Sequence, residues 1–159
     1  MKTRKSWREK LETVQEAKLV PIPLRMQKRL GAGTLLVPRA LDVDSTIRLA
    51  KRGQLITQGQ IRAHLAGQYG ADATCPITTG IFVRIAAEAA AEDERAGKHK
   101  VTPYWRVIRD DGTLLAKLPG GPEGMAKRLA GEGQSVVAGK GRAAKELQVA
   151  DFESHLIRL

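Results

Sequence analysis

Thr102-Pro103-Tyr104-Trp105-Arg106-Val107-Ile108, with Asp110-Asp111-Gly112 close behind, is the stretch on which the reading of this chain turns. Trp, Tyr and Phe occur only twice each in 159 residues, and two of those six rings stand side by side here. The β-branched pair Val107-Ile108 favours extended backbone. Asp111-Gly112 reads as a tight turn, with Leu114-Leu115 as the return strand. In an extended segment Tyr104 and Trp105 point to opposite sides, so one lines a pocket while the other packs inside. Plain core packing is the competing reading of the pair.

Working upstream, Thr57-Gln58-Gly59-Gln60 has the form of a capping box. It opens a helix with Ile61 and Leu65 inward, ending near Gly67 or Gly70. Pro76 suits the first turn of the next helix. That helix runs to about Ala96, with Ile77, Ile81, Phe82, Ile85 and Ala89 at core spacing. Two helices joined by a short glycine-containing turn make a helix-turn-helix pattern. Before them, residues 42–51 read as a helix lined by Val43, Ile47 and Ala50 and capped by Asp42 or Asp44.

Downstream, residues 122–130 form a helix with Met125 and Leu129 inward. Residues 134–138 and 147–149 form a hairpin whose tip, Gly139-Lys140-Gly141-Arg142, is basic. A basic hairpin beside a helix-turn-helix is a wing, and such tips touch phosphates. At the other end, Ser6 and Glu9 make a capping box for a helix over 7–18, lined by Trp7, Leu11 and Val14. Pro21 and Pro23 end it, residues 19–32 read as a basic linker, and Gly33–Val37 as a short strand stopped by Pro38.

The net charge is +10, and it is unevenly placed: residues 1–30 hold nine Lys/Arg against three Glu. Such a basic arm favours polyanions through counterion release. A solubilising tail is the blander alternative. Cys75 is the lone cysteine, so no intrachain disulfide forms, which fits a reducing, cytoplasmic setting. No apolar run reaches membrane-spanning length. One cysteine and three scattered histidines (His64, His99, His155) offer no metal cluster, and no phosphate-cradling Gly-rich motif implies a cofactor.

The ordered motifs from about Asp42 to Gly133, somewhat over half the chain, resemble the DNA-binding domain of O6-alkylguanine-DNA alkyltransferases and the non-catalytic alkyltransferase-like proteins. The resemblance rests on four parts. They are Gly53-Gln54-Leu55-Ile56-Thr57-Gln58-Gly59-Gln60-Ile61, the helix from Pro76, Pro103–Ile108 with Asp111-Gly112, and Gly120-Gly121 opening a helix that ends Leu129-Ala130-Gly131-Glu132-Gly133. It implies an α/β fold: a winged helix-turn-helix domain of the alkyltransferase type over 33–159, preceded by a basic helical arm over 1–32.

In the catalytic relatives the Pro-x-x-Arg-Val segment carries a nucleophilic cysteine and an activating histidine. Here Tyr104 and Trp105 stand in those places. A phenol of ordinary pKa is a poor nucleophile and an indole is no base, so the family's alkyl transfer is expected to be absent. The non-catalytic relatives also replace the cysteine, and they flag alkylated guanine for repair. The resemblance therefore implies duplex DNA as partner, with Tyr104, Trp105, Arg106 and Gln58 around a nucleotide pocket. Thr78, Thr79, Arg84, Lys140 and Arg142 would contact DNA, and a repair protein would be a further partner. Gln58 stands where the family has a nucleotide-rotating tyrosine, and Ile77 stands near its arginine finger, so nucleotide flipping is in question.

Two alternatives remain at this point. One is an RNA- or ribosome-associated module on the same fold. The other is a thiol alkyl acceptor using Cys75, at a helix start that lowers thiol pKa; a small buried turn residue is the plainer reading of Cys75. The acidic run Glu88, Glu92, Asp93, Glu94 reads as a solvated helix end away from phosphates.

Overall fold

The computed structural model describes residues 4–139 and 146–159. It is a mixed α/β structure of six helices and small sheets. The core is built around α5 (Pro76–Arg95), which opens with proline in its first turn, where the missing N–H costs nothing. Its inner face carries Val83, Ala86, Ala87, Ala89 and Ala90, all buried. Those small side chains let α1 (Trp7–Glu12) and α3 (Ala40–Ile47) pack closely against it. By periodicity Ile77 and Ile81 belong in the core. Instead they are 61% and 54% exposed, because the alanines take the inner face and turn the isoleucines outward.

α4 (Gln58–Tyr69) begins as expected. Thr57 Oγ1 accepts from the Gln60 backbone N–H, and the Gln60 side chain accepts from Thr57 N–H, both at 3.0 Å. Gly70 closes the helix in the left-handed conformation, φ +66°. The connection to α5 includes β4 (Ala73–Thr74), which pairs parallel to β2 (Thr34–Val37).

The N-terminal region departs from expectation. α1 stops at Glu12, since Val14, counted as an inner residue, is 96% exposed. Residues 18–21 form β1 (Lys18–Pro21), antiparallel to β2, so the sheet order is β1-β2-β4. The expected linker instead contains α2 (Leu24–Leu30), preceded by Pro23 and closed by Gly31 at φ +80°. Leu11 is fully buried in the main core. Leu11 thus ties α1 to the main core, β1 joins the sheet, and α2 packs through Met26 and Leu30 on the smaller cluster of Ile22, Leu35 and Cys75.

The acidic end of α5 is not a solvated end either. Glu92 accepts the Trp7 and Arg8 backbone N–H groups at 3.0 and 3.1 Å, Asp93 pairs with Arg8, and Glu94 pairs with Arg128 at 2.7 Å. Glu92 and Asp93 thus hold the start of α1, and Glu94 is taken up by Arg128.

After α5 the chain makes a 3-10 turn over Tyr104–Arg106, then β5 (Val107–Ile108), parallel to β3 (Ile56–Thr57). Ile108 bridges back to Leu114 across the Asp111-Gly112 turn. α6 (Gly121–Gly131) follows, then the hairpin β6 (Val136–Ala138) and β7 (Leu147–Val149), with Val136 opposite Val149. Lys140 and Arg142, expected at its tip, lie outside the described residues.

Candidate nucleic-acid interface

The 3-10 turn corrects the extended reading of residues 104–106. Tyr104 N–H donates to the Thr102 carbonyl at 2.8 Å, which tightens the chain and brings the two rings edge to face, 5.3 Å apart. Tyr104 is 2% exposed. Burial raises its phenol pKa, so the hydroxyl stays neutral. Trp105 donates from its indole to Glu132 at 3.1 Å. Arg106 grips the same carboxylate with two bonds, 2.8 and 2.7 Å, and donates a third to the Ala50 carbonyl at 2.7 Å. Its side chain is 13% exposed. Burial pushes the Glu132 pKa up, but the bonds from Arg106 and Trp105 outweigh it and hold the carboxyl below its ordinary range.

Arg106 is therefore engaged in an internal bond network and is not left open at a hollow. The Arg128 guanidinium lies 4.4 Å from the Trp105 ring centroid and 5.6 Å from that of Tyr104. What remains open beside Tyr104 is a hollow of about 390 Å³, bordered by Glu94, Arg95, Gly120 and Arg128.

Gln58 lies at a different hollow, of about 160 Å³, between the start of α4 and the middle of α5. Gly80, Arg84, Arg109, Leu115 and Lys117 share it. The nucleotide-pocket quartet is thus divided: Gln58 on this side, Tyr104 on the other. Segment 115–120 separates the two, contributing Leu115 and Lys117 to one and Gly120 to the other.

Each wall of the smaller hollow has a local cause. Gln58 occupies the first helical position that the Thr57 cap fixes. Asp110 accepts from Gly59 N–H at 2.8 Å, and a Cβ on Gly59 would come within 2.6 Å of that carboxylate, so glycine permits the approach. Arg109 is positioned by the turn behind it. Gly112 sits at φ +86°, and a Cβ there would run into the Phe152 ring. Asp111 accepts from Thr113 N–H at 3.0 Å and from its hydroxyl at 2.6 Å, and these bonds lower the Asp111 pKa.

No carboxylate lines the smaller hollow. Of its three cations, Arg109 is paired, with the exposed Glu146 at 3.0 Å. Among the described residues Arg84 and Lys117 take part in no ion pair; Arg84 stands exposed, 5.9 Å from the Trp7 ring. Thr78 is half-buried and donates to Cys75 Sγ at 3.3 Å. Thr79 is fully buried and donates to the Cys75 carbonyl at 2.8 Å, which corrects its placement at a groove. Cys75 packs with Ile22 and Leu35, as a small buried residue would. The sequence reading missed Arg109 and Lys117. The turn motif marked the neighbourhood of Arg109, but only folding brings either beside α5.

No protein-family model matches the chain, and no curated protein matches it. A solved structure resembles it: S. pombe Atl1 in complex with damaged DNA containing O6-carboxymethylguanine. The likeness covers 76% of this chain and 94% of that one, with a TM-score of 0.50 and 16% sequence identity. At that identity the likeness establishes a shared fold. Among the described residues, no helix is long and apolar enough to cross a membrane.

Proposed function

We propose that this protein binds duplex DNA through the outer face of α5 and recognises alkylated guanine or related damage for repair. The observation that carries the reading is a hollow bordered by Arg84 and Lys117, which take part in no ion pair among the described residues, with Arg109 paired to Glu146 beside them and exposed Ile77 and Ile81 on the same helix as Arg84. Cations aimed outward with no internal partner gain most from phosphates, because binding them releases condensed counterions. The isoleucines offer apolar surface of the kind that enters a base step. In this reading α4 and α5 act as the helix-turn-helix and β6–β7 as its wing.

Segment 115–120 is the proposed reader, since it borders both hollows. Tyr104, neutral and buried, would form the floor of the larger one and take no alkyl group. Its place offers no thiol, and an un-ionised phenol does not displace an alkyl group at neutral pH.

The test is the affinity of the full chain for matched duplexes with and without one O6-methylguanine, at two salt concentrations. Tighter binding to the damaged duplex is expected at both. Equal binding would leave general DNA binding and remove damage recognition. A structured RNA competitor that strips the protein from either duplex would favour the RNA-associated reading instead.

A further inference from the structure

The geometry points to α2 as a second phosphate-binding element, one that extends the nucleic-acid footprint beyond α5. This inference rests on the DNA-binding reading above. α2 has the sequence Leu-Arg-Met-Gln-Lys-Arg-Leu, with three cations and no acid in seven residues. Its inner side is anchored: Met26 and Leu30 pack against the cluster of Ile22, Leu35 and Cys75. Cys75 is the residue that precedes α5. The same cluster that seats α2 therefore also fixes the start of the docking helix. Gln27 adds a hydrogen bond from its side chain to the Ile22 carbonyl, 3.0 Å.

The outer side is left to solvent. Arg25, Lys28 and Arg29 are exposed, and among the described residues none takes part in an ion pair. Arg25 and Arg29 are one turn apart, on one face of the helix. They share a hollow of about 190 Å³ with Pro76 and Ile77, and no carboxylate lines it. Two guanidinium groups thus flank the most exposed apolar residue of α5. That combination suits a sugar-phosphate strand running past an apolar contact: arginine matches phosphate geometry with two parallel N–H donors. An anionic lipid surface would also attract the charge, but the fixed seating of α2 beside α5 argues for one continuous polyanion across both helices.

The test compares three full-length proteins: wild type, Arg25→Ala/Arg29→Ala, and Lys51→Ala/Lys127→Ala. The last pair is exposed, lies on neither helix, and removes the same charge. Duplex affinity is measured across a salt series. Each phosphate contact contributes about 0.9 to the slope of log K against log salt, so loss of two lowers it by about 1.8. The expected result is that drop for the α2 pair and a smaller one for the control, with unchanged thermal unfolding in all three.

Equal slopes for the two variants would overturn the inference. If Arg84→Ala still weakened binding, the α5 reading would survive that result. Failure of the wild type to bind any duplex would overturn both. In a parallel arm with phosphatidylserine vesicles, vesicle binding lost only by the α2 variant, with duplex binding intact, would also overturn it.

Discussion

The Arg106 guanidinium meets a carboxylate at 2.7 Å and a carbonyl at 2.7 Å, whereas that of Arg84 stands exposed on α5, nearest the face of a tryptophan. The first belongs to a region where the Trp105 indole and the Arg106 guanidinium both turn onto Glu132. The second belongs to a region lined by cations and no acid. Equal charge therefore does not mean equal availability. A paired, buried guanidinium holds α6 to the rest of the fold, and taking it out for a ligand would strand Glu132. An unpaired, exposed one contributes little to folding and keeps its donors for a partner.

The strongest way to break this contrast is Arg106→Ala. Removing one partner of a buried ion pair costs about 3–5 kcal/mol, so urea unfolding is expected to shift by that order. Arg84→Ala should leave stability within about 0.5 kcal/mol, as for a surface substitution away from special features. Comparable destabilisation by both would erase the distinction. Next in size is Gly112→Ala. A side chain at φ +86° beside the Phe152 ring should cost about 1–3 kcal/mol and loosen the turn that positions Arg109. Thermal unfolding reads the first effect, and weakened duplex binding the second.

A smaller effect is pH-dependent. The folded state holds the Glu132 carboxyl below its ordinary value of 4.5, so this group adds stability above that pH. The contribution is lost as the pH falls through the lower folded value. Glu132→Gln should therefore lose less stability than wild type on acidification below about 4.5, in unfolding curves taken across that range. An identical acid profile would mean that the pairing contributes nothing. The smallest expected change is in binding: Arg84→Ala should reduce the salt slope for duplex DNA by about 0.9, one phosphate contact.

Much of the framework was legible in local chemistry. Thr57 and Gln60 announce the start of α4, Pro76 that of α5, and Met125 and Leu129 the inner face of α6. Legibility failed where several local choices were consistent with the pattern. Pro23 and Gly31 flank α2 as proline and glycine commonly flank helices, but two nearby prolines suggested a linker. Ile77 and Ile81 match core spacing as well as Val83 and the alanines do; α1 and α3 choose between the faces, and periodicity holds no record of them.

The site was legible in its parts and not in its assembly. The aromatic-arginine segment drew the eye because its residue types bind nucleotides. Its acceptor, Glu132, lies at the end of a helix two elements later, and nothing within the segment points to it. Arg109 and Lys117 were silent for the same reason, since they reach α5 only through the β3–β5 pairing and the turn that follows.

The most direct measurement is amide hydrogen exchange of the full chain with and without a saturating damaged duplex. New protection is expected at the start of α5, residues 76–84, and across 109–118. None is expected around Arg106 and Glu132, whose bonds are already made. Protection confined to 104–106 and 126–132, with α5 unchanged, would contradict this reading.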